Sequence, residues 1–358
     1  MLIPDTTSPD DLLAIWPDYA PTPLLDAPGL ASRAGVEQVR LKLEGHRPHG
    51  NFKVLGGMVA GLQAIVRFVG ADSISGLISN PAGYRSPPRL MCASDGNHGL
   101  AVASAAARAG GPASIYLPSH VSRFRSERIE ALGGQVVRVR GTYDDAVEAV
   151  KHAARRGEGL LVPDTTDRMD DQAVGDVMAG YGVMTRELRL AFAGDPRGLP
   201  THQFIQAGVG GLAAAMAQGL CSNHPPGPDI LVVEPEAAAC VAHALRIGRP
   251  ERIPGDLTTS ADMLSCGLAS APALAILQAH QASSIIVSER QLRAATDLVR
   301  ETVGLETTAS GAAGAAGLMA VAADPALRMW HGLTANSRVL LVITEQAPPP
   351  TDPVPRHR

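Results

Sequence analysis

Three short segments combine a reactive or anion-binding group with glycine, and each follows a stretch that reads as a β-strand. In the first, Gly50-Asn51-Phe52-Lys53-Val54-Leu55-Gly56-Gly57, a lysine stands at the start of an apolar helix through Met58, Leu62 and Ile65. A cation there opposes the helix macrodipole, and Phe52 and Leu55 desolvate it. Both effects predict a lowered amine pKa, which suits Schiff-base chemistry. An isolated lysine is more often a surface residue with a snorkelling stem, so the assignment depends on its neighbours.

The second segment, Ser94-Asp95-Gly96-Asn97-His98-Gly99, lies between a strand ending at Ala93 and a helix beginning near Leu100. Ser, Asp and Asn cap helices well, but two glycines around Asn-His exceed what capping needs and suggest close approach to a flat ligand. The third, Gly208-Val209-Gly210-Gly211-Leu212, precedes a helix over Ala213 to Leu220. Successive amides at a helix N-terminus suit a phosphate monoester, although such a loop also makes a plain tight turn. A dinucleotide site would place G-x-G-x-x-G in the first strand-helix unit with an acid about 20 residues on. Glu234 sits at a suitable distance, but the loop comes late and its pattern differs.

The elements that must hold these segments alternate along the chain. Strands are predicted at Val39–Leu43, Leu90–Ala93, Ser114–Leu117, Gln135–Val139, Leu160–Val162, Gln203–Gln206, Ile230–Val233, Ser284–Val287 and Val339–Ile343. Helical patterns separate them, among them Ala101–Ala109, Arg123–Leu132, Tyr143–Ala154 and Gln291–Glu301. This is an α/β chain with mostly parallel sheet, in which ligands collect at the carboxyl ends of strands. At 358 residues it exceeds one comfortable core, so two lobes are expected. Val69 to Pro88, rich in Gly, Ser and Pro, reads as a long excursion, and 347–358 as a Pro-rich tail.

A net charge of -4 gives no basic field for nucleic acid. The apolar run Ala309 to Ala323 is too short to span a bilayer, and the N-terminus lacks a signal-peptide pattern. Four scattered cysteines, Cys92, Cys221, Cys240 and Cys266, suggest neither a disulfide framework nor a metal site. A cytoplasmic enzyme acting on a small molecule is the expectation.

Taken in order, Asn51-Phe52-Lys53, Ser94 through Gly99 and Gly208 through Leu212 resemble the cofactor lysine, asparagine loop and phosphate loop of fold type II (tryptophan-synthase-like) pyridoxal-phosphate enzymes. The resemblance implies two lobes, each an open, mostly parallel twisted sheet flanked by helices, with the cofactor pyridoxal 5'-phosphate (PLP) in the cleft. The large PLP-binding lobe would comprise 1–61 and 165–346, and a small mobile lobe 62–164. Within the class, similarity to diaminopropionate ammonia-lyases runs from about Pro21 to Asp352. Phe52 to Gly57, Asp95 to Gly99, Tyr143 to Val147, Asp164-Thr165, Gly180-Tyr181-Gly182 and Thr201 to Leu212 carry it, with Val233 to Glu236, Cys266-Gly267 and Thr344-Glu345.

By position, the resemblance implies that Lys53, beside Phe52, holds PLP as a Schiff base and that Asn97 contacts the ring hydroxyl. Gly208, Val209, Gly210, Gly211 and Leu212 would hold the phosphate, and Thr344 the pyridine nitrogen. A hydroxyl partner leaves that nitrogen largely neutral, which favours loss of a β leaving group over transamination. Lys53 would take the Cα proton of an L substrate and Asp95 that of a D substrate, while Asp164 faces the substrate amine. The implied reaction converts 2,3-diaminopropionate through aminoacrylate to pyruvate and ammonia, in a homodimer. The resemblance also puts Cys240 and Cys266 at positions close enough to pair.

Other readings stay open. Asp95 can cap the helix at Leu100, and Asp164 can be a loop aspartate. The chain departs from the family at Asp167, at Asp262-Met263-Leu264-Ser265, at Gln346 and over His46 to Gly50, mostly on the substrate side. Elimination or β-replacement on serine, threonine or a specialised amino acid is therefore an alternative, as is a non-catalytic binding protein.

Overall fold

The computed structural model describes residues 7–195, 197–221 and 227–348; the prolines of the expected tail from Pro349 onward lie outside them. Its strands are β1 Leu24–Asp26, β2 Gln38–Leu43, β3 Leu90–Ala93, β4 Ala113–Pro118, β5 Gln135–Val139, β6 Leu160–Leu161, β7 His202–Gln206, β8 Asp229–Pro235, β9 Ser283–Val287 and β10 Arg338–Ile343. The helices are α1 Pro9–Ile15, α2 Pro28–Ala34, α3 Lys53–Val69, α4 Ile74–Ser79, α5 Asn97–Arg108, α6 Arg123–Glu130, α7 Tyr143–Arg155 and α8 Gln172–Ala193. They continue as α9 Gly211–Cys221, α10 Cys240–Ile247, α11 Ala271–Ala279, α12 Glu289–Val303, α13 Ala309–Ala323 and α14 Pro325–Trp330.

Two sheets result, one of six strands in the order β1-β2-β10-β7-β8-β9 and one of four in the order β5-β4-β3-β6. Every pairing is parallel except β1 with β2. Strands covered on both faces need no polar side, and β3 and β4 are buried at every residue. The nine predicted strands fall within two residues of those observed. β1 escaped notice because it is three residues long and mostly exposed, with no apolar run to announce it.

The excursion before Pro88 contains a helix. Ser73 Oγ accepts the Gly76 amide at 2.9 Å and starts α4, whose Ile74 and Leu77 are buried. The apolar run Ala309 to Ala323 is α13, buried against the large sheet, and no helix among the described residues is long and apolar enough to cross a membrane.

The helix α3 that begins at Lys53 is clasped between α5 and α8. A Cβ built on Gly57 would lie 2.5 Å from the Ala101 Cβ, and one on Gly61 2.6 Å from that of Ala105. Gly180 of α8 meets the Leu55 carbonyl so closely that a Cβ would stand 2.4 Å from its oxygen. Small residues let these backbones touch, so a chain poor in aromatic rings still fills its core. A buried ion cluster joins the end of β2 to α8. Glu187 Oε2 meets Lys42 Nζ at 2.5 Å and Arg47 Nη2 at 2.6 Å, and Arg47 Nε meets Glu44 Oε2 at 2.8 Å.

Candidate active site

The carboxyl ends of β2, β3, β6, β7 and β10 converge on one cleft, where a parallel sheet gathers its loops. Phe52, Lys53, Asp95, Asn97, Asp164, Gly208, Val209, Gly210, Gly211, Leu212 and Thr344 all line it. The Lys53 segment is stitched to the end of β10: the Phe52 amide donates to Thr344 O at 3.0 Å, and Asn51 bridges to Glu345. Asn51 Oδ1 in turn accepts the Lys53 amide at 3.1 Å, which sets the first turn of α3. The Phe52 ring lies 5.0 Å from that of Tyr181 on α8.

Lys53 Nζ meets Asp164 Oδ2 at 2.6 Å, and Tyr143 donates its hydroxyl to Asp164 Oδ1 at 2.9 Å. The expected lowering of the lysine pKa is not found. Burial works in that direction, but the charge and hydrogen bond of Asp164 outweigh it and hold the amine above its ordinary value. Burial alone would raise Asp164, yet Lys53 holds it well below the usual carboxylate range.

Asp95 is not the helix cap. α5 begins at Asn97, three residues earlier than its pattern suggested, because Ser94 Oγ accepts the amides of Gly96 and Gly99, both at 2.8 Å. Gly96, at φ 136°, makes the turn and brings its backbone against Arg125. With capping assigned to Ser94, Asp95 lines the cleft. Burial pushes its pKa up to about 7, against the pull of Arg125. His98 is held by the Val162 carbonyl at 2.8 Å from Nε2.

The third loop fits a phosphate. The first amide of α9 to reach a backbone acceptor belongs to Ala214, which donates to Gly210 O at 2.9 Å. Those of Gly208, Val209, Gly210, Gly211 and Leu212 find none among the described residues. Gly210 takes φ 96°, and a Cβ on Gly208 would fall 3.0 Å from Cys266 Sγ. At the other end Thr344 Oγ1 accepts from Gln206 Nε2 at 3.2 Å, which leaves its hydroxyl hydrogen for another acceptor. Gln206 Oε1 is buried with no partner among the described residues. Cleft, lysine, amide loop and hydroxyl thus suit a flat phosphorylated ring.

Tyr143, Tyr181, Glu345, Met263, Leu264 and Cys266 also line the cleft, and the residue types alone did not assign them roles. Cys240 and Cys266 are free thiols that both approach Gly208, Cys240 donating to its carbonyl at 3.2 Å. Among the described residues, no three His, Cys, Asp or Glu side chains group to hold a metal.

Two mostly parallel sheets flanking a lysine-bearing cleft with an amide-lined glycine loop define a class, and a family model matches residues 15–345: the chain belongs to the pyridoxal-phosphate dependent enzymes. PLP is accordingly its cofactor. Within the family, it is 32% identical to a diaminopropionate ammonia-lyase of Salmonella typhimurium over 260 residues, 70% of this chain and 64% of that protein. The match thus spans less than two thirds of that relative's length. The crystal structure of the holo diaminopropionate ammonia lyase of Escherichia coli superposes with a TM-score of 0.83 at 27% identity, covering 96% of this chain and 90% of that one. A human serine dehydratase-like protein is 28% identical over 304 residues, 84% of this chain and 82% of its own.

Proposed function

We propose that the chain catalyses α,β-elimination of ammonia from 2,3-diaminopropionate, releasing aminoacrylate that hydrolyses to pyruvate and a second ammonia. The observation that carries this reading is the Asp95 carboxyl, freed from capping by Ser94, in the same cleft as Lys53 and Asp164. Asp95, Asp164 and Glu345 line a cleft whose one lining cation among the described residues is Lys53, a balance that favours an amino acid with a second ammonium group. The similarity to diaminopropionate ammonia-lyases, the Escherichia coli enzyme among them having been crystallised in complex with an aminoacrylate-PLP azomethine reaction intermediate, supports the same substrate.

In this reading Lys53 holds the cofactor, and Phe52 borders it. Gly208 to Leu212 bind the phosphate through their amides, Asn97 faces the ring hydroxyl and the Thr344 hydroxyl faces the ring nitrogen. The bound cofactor supplies the electron sink that makes the substrate Cα–H acidic. Lys53 Nζ removes that proton from the L isomer and the Asp95 carboxylate from the D isomer. Asp164 orients the substrate amine, itself fixed by Tyr143.

Residues 1–61 and 165–346 would form the large lobe and 62–164 the small mobile one, whose closure excludes water from the reacting bonds. That the four-stranded sheet draws all its strands from residues 90–161 supports the division. A homodimer in the cytoplasm completes the reading, the free thiols being suited to a reducing compartment.

A second reading rests on Met263 and Leu264, which line the cleft within a stretch where the chain departs from the family resemblance. They favour elimination or β-replacement on serine, threonine or a specialised amino acid. The test is pyruvate release by the PLP-loaded protein given D- and L-2,3-diaminopropionate, serine and threonine separately. Release from diaminopropionate alone supports the first reading, and no turnover of diaminopropionate overturns it.

A further inference from the structure

Asn97 and Glu345 are 248 residues apart in sequence, and the structure joins them by one hydrogen bond, Asn97 Nδ2 to Glu345 Oε2 at 2.5 Å. Glu345 stands on the large sheet, just past β10, and Asn97 is the first residue of α5, beside the small sheet. The carboxylate is held from behind. Its Oε1 accepts the Thr308 hydroxyl at 2.5 Å, Thr308 itself capping α13, and its backbone carbonyl accepts the Thr307 hydroxyl at 2.6 Å. Glu345 is 7% exposed, so this is a built support rather than a passing surface contact.

A side-chain amide has a donor end and an acceptor end, and in an open pocket it can present either. Burial pushes the Glu345 carboxyl above its ordinary value, opposed by the Thr308 hydroxyl, Arg125 and the Asn97 amide; as a carboxylate it only accepts, and its Oε2 meets the amide nitrogen of Asn97. One N–H is then spent on Glu345, and its twin on the same nitrogen remains for the cleft that Asn97 lines. A cofactor ring oxygen, itself an anion or acceptor, requires a donor there. An amide turned the other way would set oxygen against oxygen.

We propose that Glu345 is a positioning residue: by binding one Asn97 N–H it orients the amide so that the other N–H is presented to the PLP ring oxygen. The inference rests on the reading, given above, that Asn97 faces the ring. It adds a residue that acts on the cofactor through another side chain.

The test is a double-mutant cycle on PLP affinity, measured by fluorescence titration of the apo chain. Wild type, Asn97→Ala, Glu345→Gln and the double variant are compared, together with the visible band of bound PLP and apo melting temperatures. Each single variant is expected to bind PLP about tenfold more weakly, the worth of one charge-assisted hydrogen bond. Glu345→Gln should also displace the visible band, and the double variant should lose no more than Asn97→Ala alone. Additive losses, or a Glu345→Gln protein with unchanged affinity and band beside a weakened Asn97→Ala, overturn the proposal. If Asn97→Ala itself binds as wild type, the reading of Asn97 as a ring contact falls, and this inference with it, whatever substrate is turned over. Should Glu345→Gln fail to fold, Thr308→Val loosens the carboxylate from outside the cleft. It should move the band in PLP-loaded protein, and an unmoved band counts against the proposal.

Discussion

Lys53 Nζ and Asp164 Oδ2 stand 2.6 Å apart, and Asp164 keeps the amine protonated when burial by itself would release the proton. A lysine reacts with a carbonyl only as the neutral amine. PLP capture by the apo chain should therefore quicken as pH rises. In Asp164→Asn the counter-ion is gone and burial lowers the Lys53 pKa, so capture near neutral pH becomes faster while turnover falls. Stopped-flow absorbance decides it; slower capture by the variant contradicts the role given to the pair.

Borohydride reduction of the loaded protein should fix PLP on Lys53, as read by peptide mass spectrometry, and Lys53→Ala should lose the label and turnover together. A label on another lysine, or undiminished biological activity in Lys53→Ala, would favour a non-catalytic role for the fold.

Asp95 offers a pH test. As a base it works only when deprotonated, so turnover of the D isomer should rise through about pH 7, where burial has moved this carboxyl. Asp95→Asn should abolish D turnover by at least about a hundredfold, the usual reach of a general base, and spare the L isomer. The same raised pKa means that the native state binds more protons than the unfolded chain between roughly pH 4 and 7. Stability therefore falls with rising pH across that window, and Asp95→Asn should melt higher than wild type at pH 8. Equal loss on both isomers would remove the assignment of Asp95 to one face.

The buried ion cluster gives a stability prediction remote from the reacting atoms. Glu187→Ala strands Lys42 and Arg47, both buried, with Glu44 as their remaining shared anion. Removing one partner of such a group costs about 3–5 kcal/mol. Denaturant titration of the apo chain should show that loss, and a change under about 1 kcal/mol would mean that water reaches the cluster.

The sequence was informative where the chemistry is local. β3 and β5 fall where their apolar runs placed them, and the three glycine loops reach one cleft because each ends a parallel strand. What it concealed is the meeting of distant residues. The apolar surroundings of Lys53 pointed to a depressed pKa; the opposite holds because Asp164, 111 positions away, comes within hydrogen-bonding distance. Capping stayed open as an alternative role for Asp95 until Ser94 took both amides. Glu345 could have been suspected from its place beside Thr344, but no pattern of residue types reveals a partner across the cleft.

The small residues on α3 and α5 have one more consequence. Gly57 faces Ala101 and Gly61 faces Ala105, both steps being four residues in the same direction. Two such contacts, one turn apart on each helix, keep the two backbones close over a full turn. A polar contact joins α5 to the lead into α3: His49 Nε2 meets Ser104 Oγ at 2.7 Å, with His49 at φ 68°. Because His49 lies four residues before Lys53, this bond ties α5 to the same stretch of chain that carries the reactive amine.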